Sequence, residues 1–441
     1  MSHLLTALQW LQAKRSGESS FQVVRPSASL SASREFRIRP NNAFDASQEP
    51  SPFRGISRNV YLLSLVSLFT DLSSEMIYPL VPLFLSTILG APVAVIGVIE
   101  GIAETTASLL KWVTGGLSDR LGKRKLFVLF GYGLAAVSKP LLALAFAWPM
   151  VLAARVLDRF GKGVRGSARD ALLADSTTPE VRGRAYGFHR SGDSIGAVFG
   201  PLVAVAILAY LHNSFRAAFL IAFVPGVLST LLILPVHERV TARKPGPLFQ
   251  WKQSGTASPT LRWFLLATFV FGIGNSSDMF LILRANQLGA SNITAVLMFA
   301  CCNVMSVLSS YPAGIVSDRL GRKRVLITGF LLFAGVYLGF GMAGNLGTLW
   351  VLFAVYGLYQ GLTDGIAKAL IVDLVPATER GAALGLQATV LGLCTLPASL
   401  IAGFLWQYVG PAAAFLFGAG AALIATGIMA VFLTGRRPAA A

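Results

Sequence analysis

Charged residues are scarce in this sequence, and so are the residue types that build metal sites and disulfide scaffolds. Asp, Glu, Lys and Arg make up 13% of the 441 residues, whereas soluble domains contain roughly a quarter. Three cysteines and four histidines, none with metal-ligand spacing, exclude a disulfide-rich domain. A phosphate-binding loop of the GxxxxGK type is absent as well. The sequence therefore predicts no enzyme, no cofactor, no catalytic residue and no metal.

Long apolar runs take the place of the missing charge. Hydrophobic residues make up 54% of the chain, and a membrane-spanning helix needs about 20 mostly apolar residues. We predict twelve such runs, at 60–89, 93–114, 126–146, 148–174, 187–210, 215–235, 263–283, 293–316, 325–344, 347–371, 382–407 and 411–434. The expected fold class is an all-α, multi-pass membrane protein with 12 transmembrane helices in a lipid bilayer.

The basic excess follows the membrane topology. A net charge of +17 would suggest nucleic-acid binding in a soluble protein. With the amino terminus in the cytoplasm, however, only Arg216 and Arg284 fall in predicted outer loops. This positive-inside distribution predicts that both termini are cytoplasmic and that the protein lies in a plasma (inner) membrane. We expect no nucleic-acid partner.

The chain divides into five parts. Residues 1–58 are rich in Ser, Arg and Pro without a spanning run, which predicts a disordered cytoplasmic tail. Residues 59–236 and 263–434 are the two helical halves. Between them lies a cytoplasmic linker at 237–262, and 435–441 is a second short cytoplasmic tail.

Internal matches indicate that the two halves are repeats. Residues 115–125 read GGLSDRLGKRK and residues 314–324 read GIVSDRLGRKR. Ser-Ser-Glu-Met at 73–76 recurs as Ser-Ser-Asp-Met at 276–279, and a third match follows the fourth and tenth predicted helices. Matches in the same order at a nearly constant offset indicate duplication of a six-helix unit.

The repeated stretch between helices two and three resembles the Gly-x-x-x-Asp-Arg-x-Gly signature of the major facilitator superfamily. Its residues are Gly115, Asp119, Arg120 and Gly122, and then Gly314, Asp318, Arg319 and Gly321. The resemblance implies two pseudo-symmetric six-helix bundles around a central cavity that opens alternately to each side. We interpret both copies as gating loops in which Asp119 and Asp318 latch the inner side. The adjacent Lys123, Arg124 and Lys125 are expected only to fix orientation.

Ionisable residues inside the predicted spans are concentrated in the first half. Such residues are costly in a membrane and usually functional. The proton-coupling candidates are acids on helices one, two and seven: Glu75, Asp71, Asp278, Glu100 and Glu104. Glu75 ranks first because Asp278 occupies the matching position of the repeat. Glu100 and Glu104 are equally well interpreted as partners of bases on helix four.

Helix four has an ionic face. Its charged residues share one arc at 100° per residue, and the substrate-cavity candidates are Arg155, Asp158, Arg159, Lys162 and Arg165. Arg159-x-x-Lys162-Gly163 resembles the superfamily's Arg-x-x-Gln-Gly motif, which in antiporter members is linked to proton coupling. Bases outnumber acids on this face, so we expect acidic partners from other helices, water or an anionic substrate.

Helix five contains a Gly-x-x-x-Gly-Pro pattern at Gly196, Gly200 and Pro201. It resembles the core of a motif found in antiporter members, and small residues permit close helix packing. The resemblance favours export in exchange for protons. His189 and Asp193, four residues apart on the same helix, are expected to be structural, with proton shuttling as the alternative.

Together these features predict a monomeric secondary active transporter that works by alternating access, with protons and a small-molecule substrate as partners. Its leading function is proton-coupled export of a small polar or anionic metabolite, such as a siderophore-like carboxylate. The alternative is a multidrug/proton antiporter for lipophilic or cationic compounds. A non-transporting receptor or scaffold is more distant, because it has no need of duplicated gates.

Overall fold

The computed structural model describes residues 57–121, 123–177, 181–238, 259–376 and 380–432. Within these residues the chain forms helices and no strand. They are α1 Arg58–Ile88, α2 Val93–Leu121, α3 Arg124–Ala143, α4 Trp148–Asp175, α5 Arg182–Tyr210, α6 Phe215–Leu231, α7 Pro259–Gln287, α8 Asn292–Leu320, α9 Arg322–Met342, α10 Leu346–Leu374, α11 Arg380–Tyr408 and α12 Pro411–Phe432. Of the described helices, 10 are long and apolar enough to cross a membrane; α6 is shorter and α4 is rich in charge. The predicted all-α membrane fold is confirmed.

The two halves, α1–α6 and α7–α12, repeat the same helix neighbours. In the first half α1 packs on α5 and α6, α2 on α4, and α3 on α4 and α6. In the second half α7 packs on α11 and α12, α8 on α10, and α9 on α10 and α12. The halves meet where α2 contacts α11 and where α5 contacts α8. This arrangement is the predicted pair of pseudo-symmetric bundles.

The first helix of each half is interrupted. α1 is α-helical over Arg58–Ile77, passes Pro79, and ends as a π-helix at Phe84–Ile88. α7 stops at Gly274 and resumes at Met279. A break inside a span leaves backbone groups unpaired, which transporters tolerate where the backbone lines a cavity or site.

The contact between α2 and α11 depends on small residues. Gly97 and Gly101 lie against the backbone of Ser399 and Leu396 with no room for a side chain. The end at which α1 begins and α2 ends is called here the predicted cytoplasmic end, and the opposite end the predicted outer end. At the outer end, the backbone N–H of Val93 donates to Gln407 Oε1 at 3.2 Å, so the two halves are joined there.

The repeated charged motif lies mostly inside helices, which corrects the prediction of gating loops. α2 continues to Leu121 and α8 to Leu320, so the motif forms their last turns. The connection from α8 to α9 is Gly321 alone. Its φ of 93° is a left-handed conformation, which glycine adopts at no steric cost.

The two outer arginines that depart from the positive-inside pattern have structural roles. Arg216 donates to the carbonyl of Ala145 at 3.1 Å, just beyond the end of α3. Arg284 donates to the carbonyls of Phe340 and Ala343 at 3.2 and 2.9 Å, at the end of α9. A cation at a helix carboxyl end satisfies free carbonyls and complements the helix dipole. The same device therefore ends the third helix of each half.

The predicted tails and linker fall largely outside the described residues. Of the 1–58 tail only the last two residues are described, and none of 435–441 is. In the predicted linker 237–262, α7 already begins at Pro259.

Candidate functional site

The ionic face of α4 is compensated by acids of α2. Arg155 binds Glu100 at 2.6 Å, with both side chains at most 4% exposed. Arg159 binds Glu104 through its Nε, also at 2.6 Å. These ion pairs agree with one of the two interpretations of Glu100 and Glu104, that of partners of helix-four bases; their role as proton carriers stays a prediction.

Asp158 is the centre of a second buried ionic cluster. Its Oδ1 accepts a hydrogen bond from Lys139 Nζ of α3 at 2.6 Å, and its Oδ2 lies 3.3 Å from Arg159. Lys139 is 1% exposed, so the ammonium would be very costly to bury without this carboxylate. Sequence reasoning did not single out Lys139, although one lysine inside an apolar span was a signal.

Lys162 and Arg165 are the bases of this face that remain without a carboxylate. Lys162 is exposed, and in the described part of the chain no acid lies within ion-pairing distance of it. Arg165 is buried over the ring of Tyr132 at 4.3 Å, a cation–π contact. Its Nη1 has no hydrogen-bond partner among the described residues.

The glycines of α5 bring that helix against the acids of α1. A Cβ added at Gly196 would lie 2.8 Å from Asp71 Cβ, and one added at Gly200 would lie 2.7 Å from Glu75 Cβ. Any larger residue would displace the acids. The predicted packing motif and the predicted proton-coupling acids thus face each other.

Asp71 and Glu75 lie inside the membrane without a direct counter-charge. Among the described residues, neither carboxylate has a base within ion-pairing distance. Lys162 acts on both at longer range, and the amide of Asn303 from α8 faces Glu75. Asn303 also donates to the carbonyl of Ala197 on α5 at 2.9 Å. The first half and the second half therefore meet directly beside Glu75.

Asp278 occupies the break of α7. It accepts hydrogen bonds from Tyr356 Oη at 2.6 Å and Gln360 Nε2 at 3.3 Å, both on α10. In the described ranges no base pairs with it. Neutral donors stabilise its carboxylate less than a base would, so Asp278 is available to a proton or to a cationic ligand.

Tyr78 connects the two halves of the site. Its ring lies 5.8 Å from the guanidinium of Arg155, and its hydroxyl is 3.2 Å from Ser277 Oγ, next to Asp278. The ring also packs on Phe299 of α8 at 5.5 Å. Through these contacts Tyr78 of α1 touches α4, the break of α7, and α8.

The firm ion pairs of the gating motif come from its bases. Arg322 binds Asp373 at the end of α10 at 2.7 Å, whereas Asp318 is 71% exposed and 3.9 Å from Arg322. In the first half Arg124 binds Asp175 at the end of α4. The expectation that Arg124 only fixes orientation is therefore wrong.

Other residues of the motif give less information. The surroundings of four predicted gate residues lie outside the described part, namely Gly115, Asp119, Arg120 and Gly122. Gly314 lies within α8, and Arg319 is exposed at its end. The latch roles of Asp119 and Asp318 stay predictions.

A cavity of 380 Å³ lies between the halves toward the predicted cytoplasmic end. Arg190 of α5 lines one side, and Ser306 and Ser310 of α8 with Asp364 of α10 line the other. Polar walls at this depth are typical of a water-filled approach to a transport site. Among the residues described, no group of His, Cys, Asp or Glu could hold a metal ion.

Known proteins are similar to this chain over nearly all of its helical region. The Major Facilitator Superfamily profile matches residues 63–284 and 264–441. An uncharacterised MFS-type transporter of Methanocaldococcus jannaschii is 36% identical over 386 residues, which cover 86% of this chain and 96% of the relative. The multidrug resistance protein MdtH of Cronobacter sakazakii is 26% identical over 371 residues, or 82% and 87% of the two chains.

Solved structures show the same fold at low identity. A bacterial homologue of the human lysosomal transporter Spinster, inward-facing and occupied, has a TM-score of 0.72 at 16% identity and covers 89% of this chain and 100% of that one. The human organic anion transporter MFSD10 has a TM-score of 0.63 at 19% identity, covering 86% and 100%.

Proposed function

This chain belongs to the major facilitator superfamily, and we propose that it is a proton-coupled exporter. It is a multi-pass membrane transporter, as its resemblance to this superfamily implied, and it is not an enzyme. The observation that supports proton coupling is the placement of Asp71 and Glu75, two carboxyls inside the membrane without an ion-paired base among the described residues. The expectation of a transport function, rather than a receptor or scaffold, is confirmed by the family.

Coupling follows from the cost of an unpaired carboxylate in the membrane. Such a group is stabilised by a proton or by a cationic ligand. Because Glu75 lies beside Asn303, where the two halves touch, a change in its charge acts directly on the contact that must open and close. Protonation on one side and release on the other then exchanges a proton for cargo in each cycle.

The ion pairs change the balance between the two predicted cargo classes. Arg155 and Arg159 were the main argument for an anionic substrate, and both are neutralised by α2 glutamates. In the second half, Asp278 accepts hydrogen bonds from a tyrosine and an amide and has no ion-paired base among the described residues. An amphipathic organic cation fits this acid and its neighbouring rings best. The multidrug resistance relatives agree with this choice.

An anionic or polar metabolite, such as a hydroxycarboxylate, is the second candidate. The observation that favours it is Lys162, an exposed base of α4 without an ion-paired acid among the described residues. A carboxylate of the cargo would find a counter-charge in the ammonium of Lys162.

Everted membrane vesicles test proton coupling directly. With ethidium as the probe cation, addition to energised vesicles is expected to release internal protons, recorded as recovery of a pH-sensitive dye. Glu75→Gln should abolish this release because the site loses its exchangeable proton. Glu238→Gln is the matched control, since Glu238 lies outside the spans and only caps the start of α3. Normal release by the Glu75 variant would refute the carrier assignment.

A second pair of variants separates the cargo classes. Asp278→Asn should weaken ethidium transport by roughly 10- to 100-fold, because a contact between a carboxylate and a cation contributes about 1.5–3 kcal/mol. Lys162→Gln should leave ethidium transport nearly unchanged. If citrate drives proton release and only Lys162→Gln reduces it, the anionic candidate replaces the cationic one.

We also propose that the protein works as a monomer in a bacterial-type inner membrane with both termini cytoplasmic. Arg216 and Arg284, the two arginines of the predicted outer loops, both bind carbonyls at helix ends, and this structural use supports the orientation.

A further inference from the structure

Four titratable residues follow one another along the contact between α1 and α5. His189 and Asp193 are one turn apart on α5, and Asp71 and Glu75 are one turn apart on α1. Asp193 acts electrostatically on Asp71, and Asp71 acts on Glu75. The four groups therefore form a line from the cytoplasmic part of α5 to the middle of the membrane.

The backbones of α1 and α5 are held together along this line by glycine. A Cβ added at Gly192 would lie 2.7 Å from the carbonyl oxygen of Ser64, and Gly196 faces Asp71 in the same way. Asp193 lies between these two glycines. Its carboxylate is thereby fixed within about one helical turn of Asp71.

His189 is buried, the side chain of Asp193 is 13% exposed, and both have unused hydrogen-bonding capacity. His189 is 4% exposed, and its Nδ1 lies 3.8 Å from Asp193 Oδ1. Neither His189 Nε2 nor Asp193 Oδ1 has a hydrogen-bond partner among the described residues. A structural histidine would be expected to satisfy both of its ring nitrogens.

The surrounding charges leave Asp193 as the acceptor for His189. From α4, Arg169 and Asp170 face His189, but they bind each other at 2.9 Å. On α5 itself, Arg190 is 3.7 Å from Asp193 and 76% exposed. The bases that face Asp71 all come from α4, namely Arg165, Arg169 and Lys162.

One end of the line, His189, is one residue from a side chain that lines a cavity. Arg190, which follows His189 in the chain, lines the 380 Å³ cavity at the predicted cytoplasmic end. The other end is Glu75, the residue to which the proposed function assigns the exchanged proton. No other described base or acid interrupts the sequence of four groups along α1 and α5.

We propose that His189 and Asp193 are a proton relay between Asp71 and Glu75 and the cytoplasmic-end cavity, a proposal that rests on the proton coupling proposed above. A proton from Glu75 or Asp71 reaches the Asp193 carboxylate. A small rotation brings the protonated Asp193 to His189, where the O–H bond breaks as a bond forms at Nδ1. Rotation of the ring then turns Nδ1 toward water, the Nδ1–H bond breaks as water accepts this proton, and the neutral ring turns back in its starting Nε2–H tautomer.

The relay is tested on the full-length protein in lipid nanodiscs. After a stopped-flow jump to alkaline pH, a soluble pH dye records both the number of protons released and their rate. His189→Ala should slow release roughly tenfold or more, because a positioned proton carrier is lost, while the number of protons stays that of the unmodified protein. Free imidazole should restore the rate, since it enters the space left by the side chain.

Two further variants complete the design. His212→Ala is the matched control, because His212 lies in the turn beyond the other end of α5, and it should change neither number nor rate. Asp193→Asn should slow release without leaving a cavity, which covers the case of poor folding in His189→Ala.

An unchanged rate in both relay variants, or a slow His189→Ala that imidazole does not accelerate, overturns the relay. Failure of the proposed function is recognised separately. It shows as a Glu75→Gln, Asp71→Asn double variant that releases as many protons as the unmodified protein.

Discussion

The two halves place different chemistry at the same position of a shared scaffold. Arg124 and Arg322 begin α3 and α9, and each binds an acid at the end of the following helix, Asp175 or Asp373. From α3 and α9 onward, equivalent residues of the two halves are therefore 198 positions apart. The charged motif before them repeats at an offset of 199, because the connection from α2 to α3 is one residue longer than that from α8 to α9.

With that equivalence, the buried ion pair of the first half corresponds to a pair of rings in the second. Lys139 and Asp158 are replaced by Tyr337 and Tyr356, whose ring centroids lie 6.2 Å apart. Tyr337 in turn stacks on Phe333 at 3.9 Å. The two halves thus share the ion pairs at the helix ends, which fix the positions of the helices. They differ in the buried side chains, which determine the chemistry of the interior.

The two halves differ in the side chains of their interiors. The first half contains a lattice of paired charges on α2, α3 and α4 and, on α1, two acids without an ion-paired base among the described residues, Asp71 and Glu75. The second half contains aromatic packing around one acid, Asp278, which Tyr356 holds through its hydroxyl. In the proposed function, proton exchange takes place in the first half and contact with an amphipathic cargo in the second.

The largest effect is expected from breaking the buried pair of the first half. Asp158→Asn leaves Lys139 buried without a carboxylate, which should cost about 3–5 kcal/mol of unfolding free energy. Tyr356→Phe at the equivalent position loses one hydrogen bond to a charged group, about 1.5–3 kcal/mol. Detergent-titration unfolding of the purified protein measures both.

A double variant controls for simple loss of packing. Lys139→Met with Asp158→Asn removes both charges and should recover most of the stability lost in Asp158→Asn. If Asp158→Asn costs no more than Tyr356→Phe, the comparison between an ionic and an aromatic half does not hold energetically.

A smaller effect is expected from the glycines of α5. Gly200→Ala places a Cβ 2.7 Å from Glu75 Cβ, and such overpacking costs about 1–3 kcal/mol. Gly187→Ala on the same helix meets no atom within 4 Å and should gain up to about 1 kcal/mol through helix propensity. Thermal unfolding of both variants measures this difference in stability. Equal stability of the two variants would show that α1 and α5 are not held in close contact at Gly200. Cys394 of α11 occupies the position equivalent to Gly196, and in the second half the glycine lies on the first helix instead: a Cβ added at Gly272 of α7 would lie 2.9 Å from Cys394 Cβ.

The smallest effect is expected at the helix-end pairs. Asp175 is 28% exposed and Asp373 is 47% exposed, so the first pair is better shielded from water. Arg124→Gln should cost about 1 kcal/mol, and Arg322→Gln should cost less, within the roughly 0.2–1 kcal/mol of exposed pairs. Unfolding at low and high salt measures both, and a larger loss in Arg322→Gln would reverse the assignment.

Much of the architecture could be predicted from the sequence, because membrane helices are local. The length of each apolar run, the repeated motif and the distribution of basic residues depend only on neighbouring positions. Within the candidate site, the pairing of helix-four bases with Glu100 and Glu104 was also within reach, since an excess of bases on one face requires acids from elsewhere.

Other contacts could not be predicted because they depend on how each helix is rotated. Lys139 finds Asp158 and Asn303 finds Glu75 across different helices, and no spacing within one helix indicates either contact. The ion pair between Arg124 and Asp175 was missed for the same reason. The acid nearest in sequence to Arg322 is Asp318, yet the firm partner is Asp373, which is brought there by the packing of α9 on α10.

By itself, the sequence determined a duplicated twelve-helix transporter with its ionisable residues concentrated in one half. Those properties follow from apolar length, repetition and composition, which need no knowledge of packing. Only the tertiary structure decided which charges neutralise each other and which remain available. Arg155 and Arg159 are already compensated, while Asp71, Glu75 and Asp278 are not ion-paired within the described residues. Ionic compensation is a property of distances between helices, and only the packed structure contains those distances.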